Sequence, residues 1–344
     1  MIRTLQGVLR VSQWWASKAV PLVAIAAVAY SKFDPQPNWA TLAYYIFLFV
    51  VSVVGIAGFG YLLNDAFDVE GDRVKGRENA LTSLGRNKTY ALFGLLAILA
   101  YTPLLGLPGK AILVWLYLTE FLLFALYSMP QVRLKEKGVF GVVADSLYGH
   151  VIPSLSAWVA LVSIREITGP VYAIGGLFLL AWQLPLGMRH ILGHQLGDYS
   201  KDRSAGEETF VIAHGTKTSR RLIGLVLTPI ELAGLISFLI AIIKMSWIPL
   251  FALVAFAIFR CWITLPAKYP KFNLKMPTDS YSLEMFSWHV LSEFSQDVLP
   301  PILLLSVAHS TPSLWPVLIL YPIFRNDACR EYITKAKTLI NRVS

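Results

Sequence analysis

The chain has 344 residues, of which 56% are hydrophobic and only 15% are charged, and its net charge is +9. A soluble globular protein carries about 25% charged residues, so this composition excludes soluble domains, and it also excludes a disordered chain, collagen and a coiled coil. Two cysteines, Cys261 and Cys329, are too few for a disulfide scaffold. A mean hydropathy of +0.57 therefore indicates a polytopic membrane protein.

Long apolar segments follow one another along the chain, and a transmembrane helix needs about 20 such residues. The sequence predicts spans at Ser12–Tyr30, Trp39–Leu63, Thr89–Leu107, Ala111–Tyr127, Val139–Ile164, Val171–His194, Leu222–Ile243 and Trp247–Leu265. After Tyr281 it predicts either one long span or two, at Ser287–Ala308 and Ser313–Phe324. We therefore expect an all-α transmembrane helical bundle of nine to ten helices. The first segment lacks a small-residue cleavage site, so we expect no cleavable signal peptide.

The basic residues alternate between the two sets of loops. One set carries eighteen Lys and Arg residues and the opposite set carries four. The positive-inside rule predicts that the basic set is cytoplasmic. The basic C-terminal tail should then also be cytoplasmic, which favours an even number of passes. These loops account for the net charge, so we expect no nucleic-acid partner and an integral membrane location.

A cluster of polar and acidic residues follows the second span. Its members Asn64, Asp65, Asp68 and Asp72 fall at steps of three and four residues, so we expect them to share one helical face. Carboxylates at this spacing repel one another, so the face needs a cation. A second pair with the same spacing, Asp198 and Asp202, follows the sixth span.

The two clusters are copies of one pattern, D-x-x-x-D-R-x-x-G-x-E, separated by 130 positions. The shift also places Gly85 on Gly215. We interpret the chain as one transmembrane domain over 1–344, built from two parallel internal repeats at roughly 12–130 and 139–265, followed by C-terminal helices at 281–325 and a tail at 326–344. Parallel repeats place a shared site at their interface.

Oxygen ligands of this kind suit Mg²⁺, which binds a few carboxylates together with substrate phosphates. The arrangement predicts a diphosphate bridged by Mg²⁺ between two helices. Basic side chains beside each motif would hold the remaining phosphate oxygens. The candidates for that contact are Arg73, Lys75, Lys201 and Arg203.

At this point the sequence resembles the UbiA superfamily of intramembrane prenyltransferases. The first cluster is similar to the family's N-D-x-x-D-x-x-x-D motif and the second to its D-x-x-x-D motif. A third segment, from Tyr127 through Arg133 to Lys135, is similar to the family's Y-S-x-P-x-x-R-L-K segment. The resemblance covers roughly Trp14 to Leu265.

The resemblance implies helices around a central cavity and Mg²⁺-dependent use of an isoprenoid diphosphate. It implies that Asn64, Asp68 and Asp72 bind one Mg²⁺ and that Asp198 and Asp202 bind another. It also implies that Arg133, Lys135 and Tyr127 contact the diphosphate. The prenyl group would pass to a small acceptor, aromatic or a quinone precursor, and the active-site loops would be cytoplasmic.

Some polar residues of the spans are further candidates. Intramembrane ionisable groups are functional candidates by default, so Asp145 and His150 are expected to orient the acceptor or to accept its proton. His194 is expected to line the cavity above the diphosphate, although the His190–His194 spacing is also compatible with a transition metal. Glu293 and Asp297 are expected to mark a helix end.

Aromatic faces stabilise carbocations. The candidate rings are Phe59, Phe67, Tyr148, Phe178, Trp182 and Trp288. Three alternatives to prenyl transfer remain open at this stage: a terpene cyclase, a phosphoribosyl transferase that acts on polyprenyl phosphate, and a transporter.

Overall fold

The structure, a computed structural model, describes residues 18–33, 38–74, 79–163, 169–242, 246–275 and 277–310 and positions 315, 318–319 and 321. Every regular element within these ranges is a helix, which confirms the predicted all-α fold. Most of the predicted Ser313–Phe324 span and the tail at 326–344 lie outside the described residues.

The main helices are labelled in chain order. They are α1 (Val20–Phe33), α2 (Trp39–Val74), α3 (Arg86–Tyr101), α4 (Lys110–Ser128), α5 (139–160), α6 (Pro170–Gly197), α7 (Tyr199–Ser204), α8 (Phe210–His214), α9 (Thr216–Ala241), α10 (Ile248–Lys268) and α11 (280–310). Short 3₁₀ turns lie at Ala80–Ser83, Thr102–Gly106 and Leu134–Glu136. The described part of α11 is one uninterrupted helix, so Glu293 and Asp297 lie in its interior and do not mark a helix end.

Six of the described helices are long and apolar enough to cross a membrane. These are α2, α3, α4, α9, α10 and α11. The remaining long helices α5 and α6 are less apolar because they carry side chains such as Asp145, His150, Gln183 and Arg189. The most polar spans are therefore the ones that face the interior of the bundle.

The first helix lies inside the bundle, where α1 packs against α2, α5 and α11. Around it, α2 packs against α3 and α4, and α6 packs against α5 and α9. Small residues allow the closest approaches, as is common between membrane helices. A Cβ atom at Gly187 of α6 would lie 2.4 Å from Ser146 Oγ of α5, and one at Gly55 of α2 would lie 2.2 Å from the backbone nitrogen of Ala100.

The two acidic motifs lie at the ends of α2 and α6 but differ locally. Helix α2 has 36 residues and is about 54 Å long at 1.5 Å per residue, so it extends beyond the roughly 30 Å hydrocarbon core and continues through its motif. Helix α6 instead ends at Gly197, and Asp198 precedes the short helix α7. The predicted i, i+4 relation survives, because the Asp202 amide donates to the Asp198 carbonyl at 2.9 Å.

The loops after the two motifs end in the same backbone conformation. Gly85, before α3, has φ 73° and ψ 153°. Gly215, before α9, has φ 83° and ψ 155°. Essentially only glycine adopts this region. The two positions that the 130-residue shift superimposes therefore have the same local geometry.

Candidate active site

A cavity of about 480 Å³ lies inside the bundle. Side chains of α1, α2, α4, α5, α6 and α11 line it, so both halves of the chain contribute. Asn64, Tyr127 and His194, from the ends of α2, α4 and α6, mark its polar end. Apolar side chains such as Ile25 and Ile56 line the wall farther from the motifs.

The first motif borders the polar end of this cavity. Ser128 Oγ, at the end of α4, donates to Asn64 Oδ1 at 3.1 Å. Asn79 Nδ2 donates to the Asp65 carbonyl at 2.9 Å and so fixes the loop after α2 against the helix. Asp68 follows one turn after Asn64, and its side chain is 18% exposed.

Two cations from the loop between α4 and α5 meet the Asp68 carboxylate. Lys135 Nζ donates to both carboxylate oxygens at 2.7 Å, and Arg133 Nη2 lies 3.8 Å from Oδ1. Arg133 also pairs with Glu136. The structure therefore brings together three residues that the sequence predicted from segments 65 positions apart.

Arg133 has an unusual backbone conformation. Its φ is 45° and ψ is 57°, and it is the only non-glycine residue with positive φ in the described part of the chain. A left-handed non-glycine residue costs about 1–2 kcal/mol. Such strain concentrates at functional sites, and here it holds the guanidinium beside Asp68.

The second motif is more open. The Asp198 side chain is 52% exposed and accepts a hydrogen bond from Lys201 Nζ at 2.9 Å. Asp202 is buried, and Arg203 is exposed and donates to Tyr199 Oη at 3.4 Å. An exposed ion pair of this kind contributes at most about 1 kcal/mol, so Lys201 can leave Asp198 with little loss of stability.

Tyr127 lies near both motifs. Its hydroxyl lies within electrostatic range of Asp68 and of Glu207, which follows the second motif. The Glu207 amide donates to the Asp202 carbonyl at 3.0 Å. The ends of α2, α4 and α6 therefore lie at one end of the bundle.

A π-helical turn at Leu147–Val151 shapes the wall formed by α5, and such turns are frequent at functional sites. Three consecutive residues of this turn, Tyr148, Gly149 and His150, line the cavity together with Asp145. Tyr148 Oη donates to Asp145 Oδ2 at 2.5 Å. Lys18 Nζ donates to the Gly149 carbonyl at 3.1 Å and brings a half-buried ammonium group to this wall.

His150 of this turn lies against His190 of α6. The rings of His150 and His190 are 5.0 Å apart, and His190 Nε2 lies 3.3 Å from Ser292 Oγ. Among the described residues, no three His, Cys, Asp or Glu side chains come together in a way that could hold a metal ion. The histidine pair therefore has no third ligand of these types in that part of the chain.

The predicted site residues fall into three groups. Asn64, Tyr127, Asp145 and His194 line the cavity. Asp68, Arg133, Lys135, Asp198, Lys201, Asp202 and Arg203 lie in the motif regions at its polar end. Arg73 is exposed at the end of α2, Lys75 lies outside the described residues, and the Asp72 side chain is not described.

Two charged residues of the cavity wall were missed by the sequence analysis. Lys18 lies within the first predicted span and Glu120 lies in the middle of the fourth, and both line the cavity. Their position within apolar spans was the available signal, because a charge in the membrane is functional by default. Of the six predicted aromatic rings, Tyr148 and Trp182 line the cavity, whereas Trp288 covers the Arg189 guanidinium at 4.8 Å.

The chain was compared with known families and structures. The family model described as the UbiA prenyltransferase family matches residues 19–281. A structure reported for digeranylgeranylglyceryl phosphate synthase in membranes is 18% identical, with a TM-score of 0.58, and the alignment covers 90% of this chain and 98% of that one.

Two structures of a UbiA homologue from Archaeoglobus fulgidus are each 14% identical to the chain. The one bound to DMAPP and Mg²⁺ has a TM-score of 0.51, with 92% of this chain and 99% of that chain covered. The one bound to GPP and Mg²⁺ also has a TM-score of 0.51, with 94% and 99% covered. No curated protein sequence matches the chain. At these identities the structural likenesses show the fold.

Proposed function

Because the chain belongs to the UbiA prenyltransferase family and is an intramembrane prenyltransferase, we propose that it transfers the prenyl group of an isoprenoid diphosphate to a small acceptor inside the cavity. The observation that carries this proposal is the polar end of the cavity, where Lys135 and Arg133 meet Asp68 beside Asn64. A diphosphate would bind there with its prenyl chain along the apolar wall. The structures of the Archaeoglobus homologue bound to DMAPP and Mg²⁺ and to GPP and Mg²⁺ support this proposal.

The donor set of the two motifs fits Mg²⁺. All of its members are oxygen donors, and Mg²⁺ binds one or two carboxylates while it keeps waters and substrate phosphates as further ligands. Lys135 already places a positive charge 2.7 Å from both Asp68 oxygens, which shows that this carboxylate accepts a cation. Asn64, Asp68 and Asp72 would hold one Mg²⁺, and Asp198 and Asp202 another. When bound, Mg²⁺ would neutralise charge on the diphosphate.

The basic residues have a second partner once a diphosphate is present. Lys135 and Arg133 would contact its oxygens from one side, and Lys201 and Arg203 from the other. Arg73 and Lys75, which follow the first motif, would complete the phosphate contacts. Charge-assisted hydrogen bonds of this type are roughly twice as strong as neutral ones, so these fixed cations favour departure of the diphosphate when the allylic C–O bond breaks.

The cavity wall protects the allylic cation that forms. Phe124, Tyr127 and Tyr148 form a cluster in which the Tyr148 ring centroid lies 4.7 Å from that of Phe124 and 5.2 Å from that of Tyr127. Aromatic faces stabilise a cation by about 0.5–2 kcal/mol each, and their bulk excludes water. Asp145, oriented by the Tyr148 hydroxyl, and His194 lie on the same wall and would position the acceptor, which we take to be aromatic or a quinone precursor.

The finer architecture also belongs to this proposal. We take the chain to be one domain of nine to ten transmembrane helices built from two parallel repeats, with the active-site loops on the cytoplasmic side. The matching conformations of Gly85 and Gly215 support the repeats, and the basic loops support the orientation. Membership of the family sets aside the transporter alternative.

The test uses purified protein with C10 to C20 diphosphates, with and without Mg²⁺ and a membrane extract as the acceptor source, followed by mass spectrometry. The Asp68→Asn and Asp198→Asn variants should each transfer the prenyl group at least about 100-fold more slowly than the wild-type protein. Each variant lacks a carboxylate charge that would balance the charge of the metal beside the diphosphate. The matched control is Asp279→Asn, which caps α11 from an exposed position and should retain activity because Asn caps as well as Asp.

Transfer at the wild-type rate by either motif variant would contradict the assignment of the site. Full activity in the presence of a chelator would contradict the requirement for Mg²⁺. A hydrocarbon product formed without any acceptor would identify a cyclase instead.

A further inference from the structure

The wall of the cavity farther from the motifs carries a carboxylate that the proposed reaction does not use. Glu120 lies eight residues before Ser128 on α4, about 12 Å along the helix from the Asn64 contact. It is 2% exposed and lines the cavity. Among the described residues, its Oε2 atom has no hydrogen-bond partner. A buried polar atom without a partner requires an explanation, and a bound ligand is one.

Glu120 shares one ammonium group with a second acid. Lys18 lies within electrostatic range of both Asp145 and Glu120. A Cβ placed on Gly149 would be 3.6 Å from Lys18 Nζ and 3.9 Å from Asp145 Oδ1. One ammonium group therefore faces two acids of the described wall.

Two further polar atoms of the wall have no partner within the described residues. They are Trp182 Nε1 on α6 and Ser295 Oγ on α11, and both residues line the same cavity as Glu120. A carboxylate accepts hydrogen bonds, an indole N–H only donates and a hydroxyl does both. A ligand that forms hydrogen bonds with the unpartnered atoms on all three helices must have both a donor and an acceptor, as a hydroxyl group does.

We propose that Glu120 binds a hydroxyl group of the acceptor substrate and that the two acids around Lys18 exclude acceptors that carry a carboxylate. This inference rests on the proposed function, because it names the class of acceptor for the same cavity. The hydroxyl donates to Glu120, while the reactive carbon of the acceptor points along α4 toward the diphosphate. The selectivity arises because a carboxylate beside Glu120 would be a third acid around one ammonium group in a cavity of low dielectric constant.

The experiment measures the dissociation constants of matched probes with detergent-purified full-length protein. The pairs are 4-methylphenol with 4-methylbenzoate and 1-naphthol with 1-naphthoate, which differ only in the polar group. We expect each phenol to bind the wild-type protein at least tenfold more tightly than its benzoate partner. Glu120→Gln, which keeps the shape and removes the acid, should reduce this ratio to about threefold or less. Asp279→Asn removes a charge outside the cavity and should keep the wild-type ratio.

Equal binding of the two probes of a pair, no binding of either phenol at millimolar concentration, or an unchanged ratio in Glu120→Gln would overturn the inference. If Glu120→Gln does not fold, Glu120→Asp and Ser295→Ala replace it. The first should keep the preference for phenols and the second should weaken phenol binding at least threefold, and failure of both expectations overturns the inference.

Measuring the release of diphosphate from a prenyl diphosphate by the wild-type protein distinguishes a failure of this inference from a failure of the proposed function. If diphosphate is released and the probe ratio does not depend on Glu120, the acceptor subsite is wrong and the prenyl transfer stands. If the phenols bind selectively and no diphosphate is released with any prenyl chain length, the subsite stands and the proposed function is wrong.

Discussion

A buried ion pair between α6 and α9 offers a sharp test of how the bundle is held together. Arg189 donates to both Glu231 carboxylate oxygens, at 2.7 and 2.8 Å, and both side chains are 0% exposed. Arg189 also donates to Ser292 Oγ at 2.7 Å. Removing one member of such a pair leaves a buried charge without compensation, which costs about 3–5 kcal/mol. We therefore expect Arg189→Met and Glu231→Leu each to lower the free energy of unfolding by that amount.

The double variant should lose far less free energy of unfolding than the two single variants lose together. Replacing a whole buried ion pair by apolar residues is often close to neutral, and loss of the hydrogen bond from Arg189 to Ser292 Oγ adds about 1–2 kcal/mol. With a total loss of about 2 kcal/mol for the double variant, the coupling energy is about 4–8 kcal/mol. Denaturant unfolding in detergent measures all four proteins of the cycle.

The control cycle uses Arg220 and Glu284, which join α9 to α11 at 2.5 Å with the arginine side chain 53% exposed. Glu284 is 4% exposed, but water reaches the Arg220 guanidinium, so this pair should couple more weakly than the fully buried one. A coupling energy below about 1 kcal/mol for Arg189 and Glu231 would refute the reasoning, as would equal coupling in the two cycles. Neither Arg189 nor Glu231 lines the cavity, so the stable double variant should keep its transfer activity.

Two further predictions concern the motif loops. Lys135→Met removes the ammonium group that donates to both Asp68 oxygens. The half-saturating Mg²⁺ concentration should therefore fall and the KM for the prenyl diphosphate should rise, each about tenfold for a charge-assisted hydrogen bond of about 1.5–3 kcal/mol. A rise in both constants would contradict the double role of this lysine. Gly85→Ala and Gly215→Ala should each lower the free energy of unfolding by about 1–2 kcal/mol, although nothing lies within 4 Å of the added Cβ. The helical control Gly197→Ala also has open space and should be neutral or stabilising, and a similar loss at all three glycines would rule out backbone strain as the cause.

Much of the fold follows from the sequence because the lipid environment imposes simple rules. Apolar length predicted most ends of the described helices to within a few residues, although α9 begins six residues before its predicted start. The three- and four-residue spacing placed the first motif on a helix that continues to Val74. The break at Gly197 was not predicted. Glycine destabilises the helix interior, but helix periodicity alone does not reveal where a helix ends when the polar spacing continues through the break.

The centre of the cavity could not be predicted because its contacts join distant segments. Lys18 and Gly149 are 131 positions apart, and Arg189 and Glu231 are 42 apart on different helices. A single sequence without pairing information does not show which buried charge meets which. The π-helical turn at Leu147–Val151 was missed as well, since it moves three neighbouring side chains to one face in a way that a regular 3.6-residue period does not describe.

The polar character of α6 has a consequence for biogenesis. A charged guanidinium at the centre of an isolated helix opposes insertion into the bilayer by about 2.5–3.5 kcal/mol. The acid that neutralises Arg189 lies on α9, which the ribosome synthesises only after α6 is complete. During synthesis α6 therefore stays at the translocon or against earlier helices until α9 has been made. Membrane insertion of α6 and assembly of the active-site wall are then coupled.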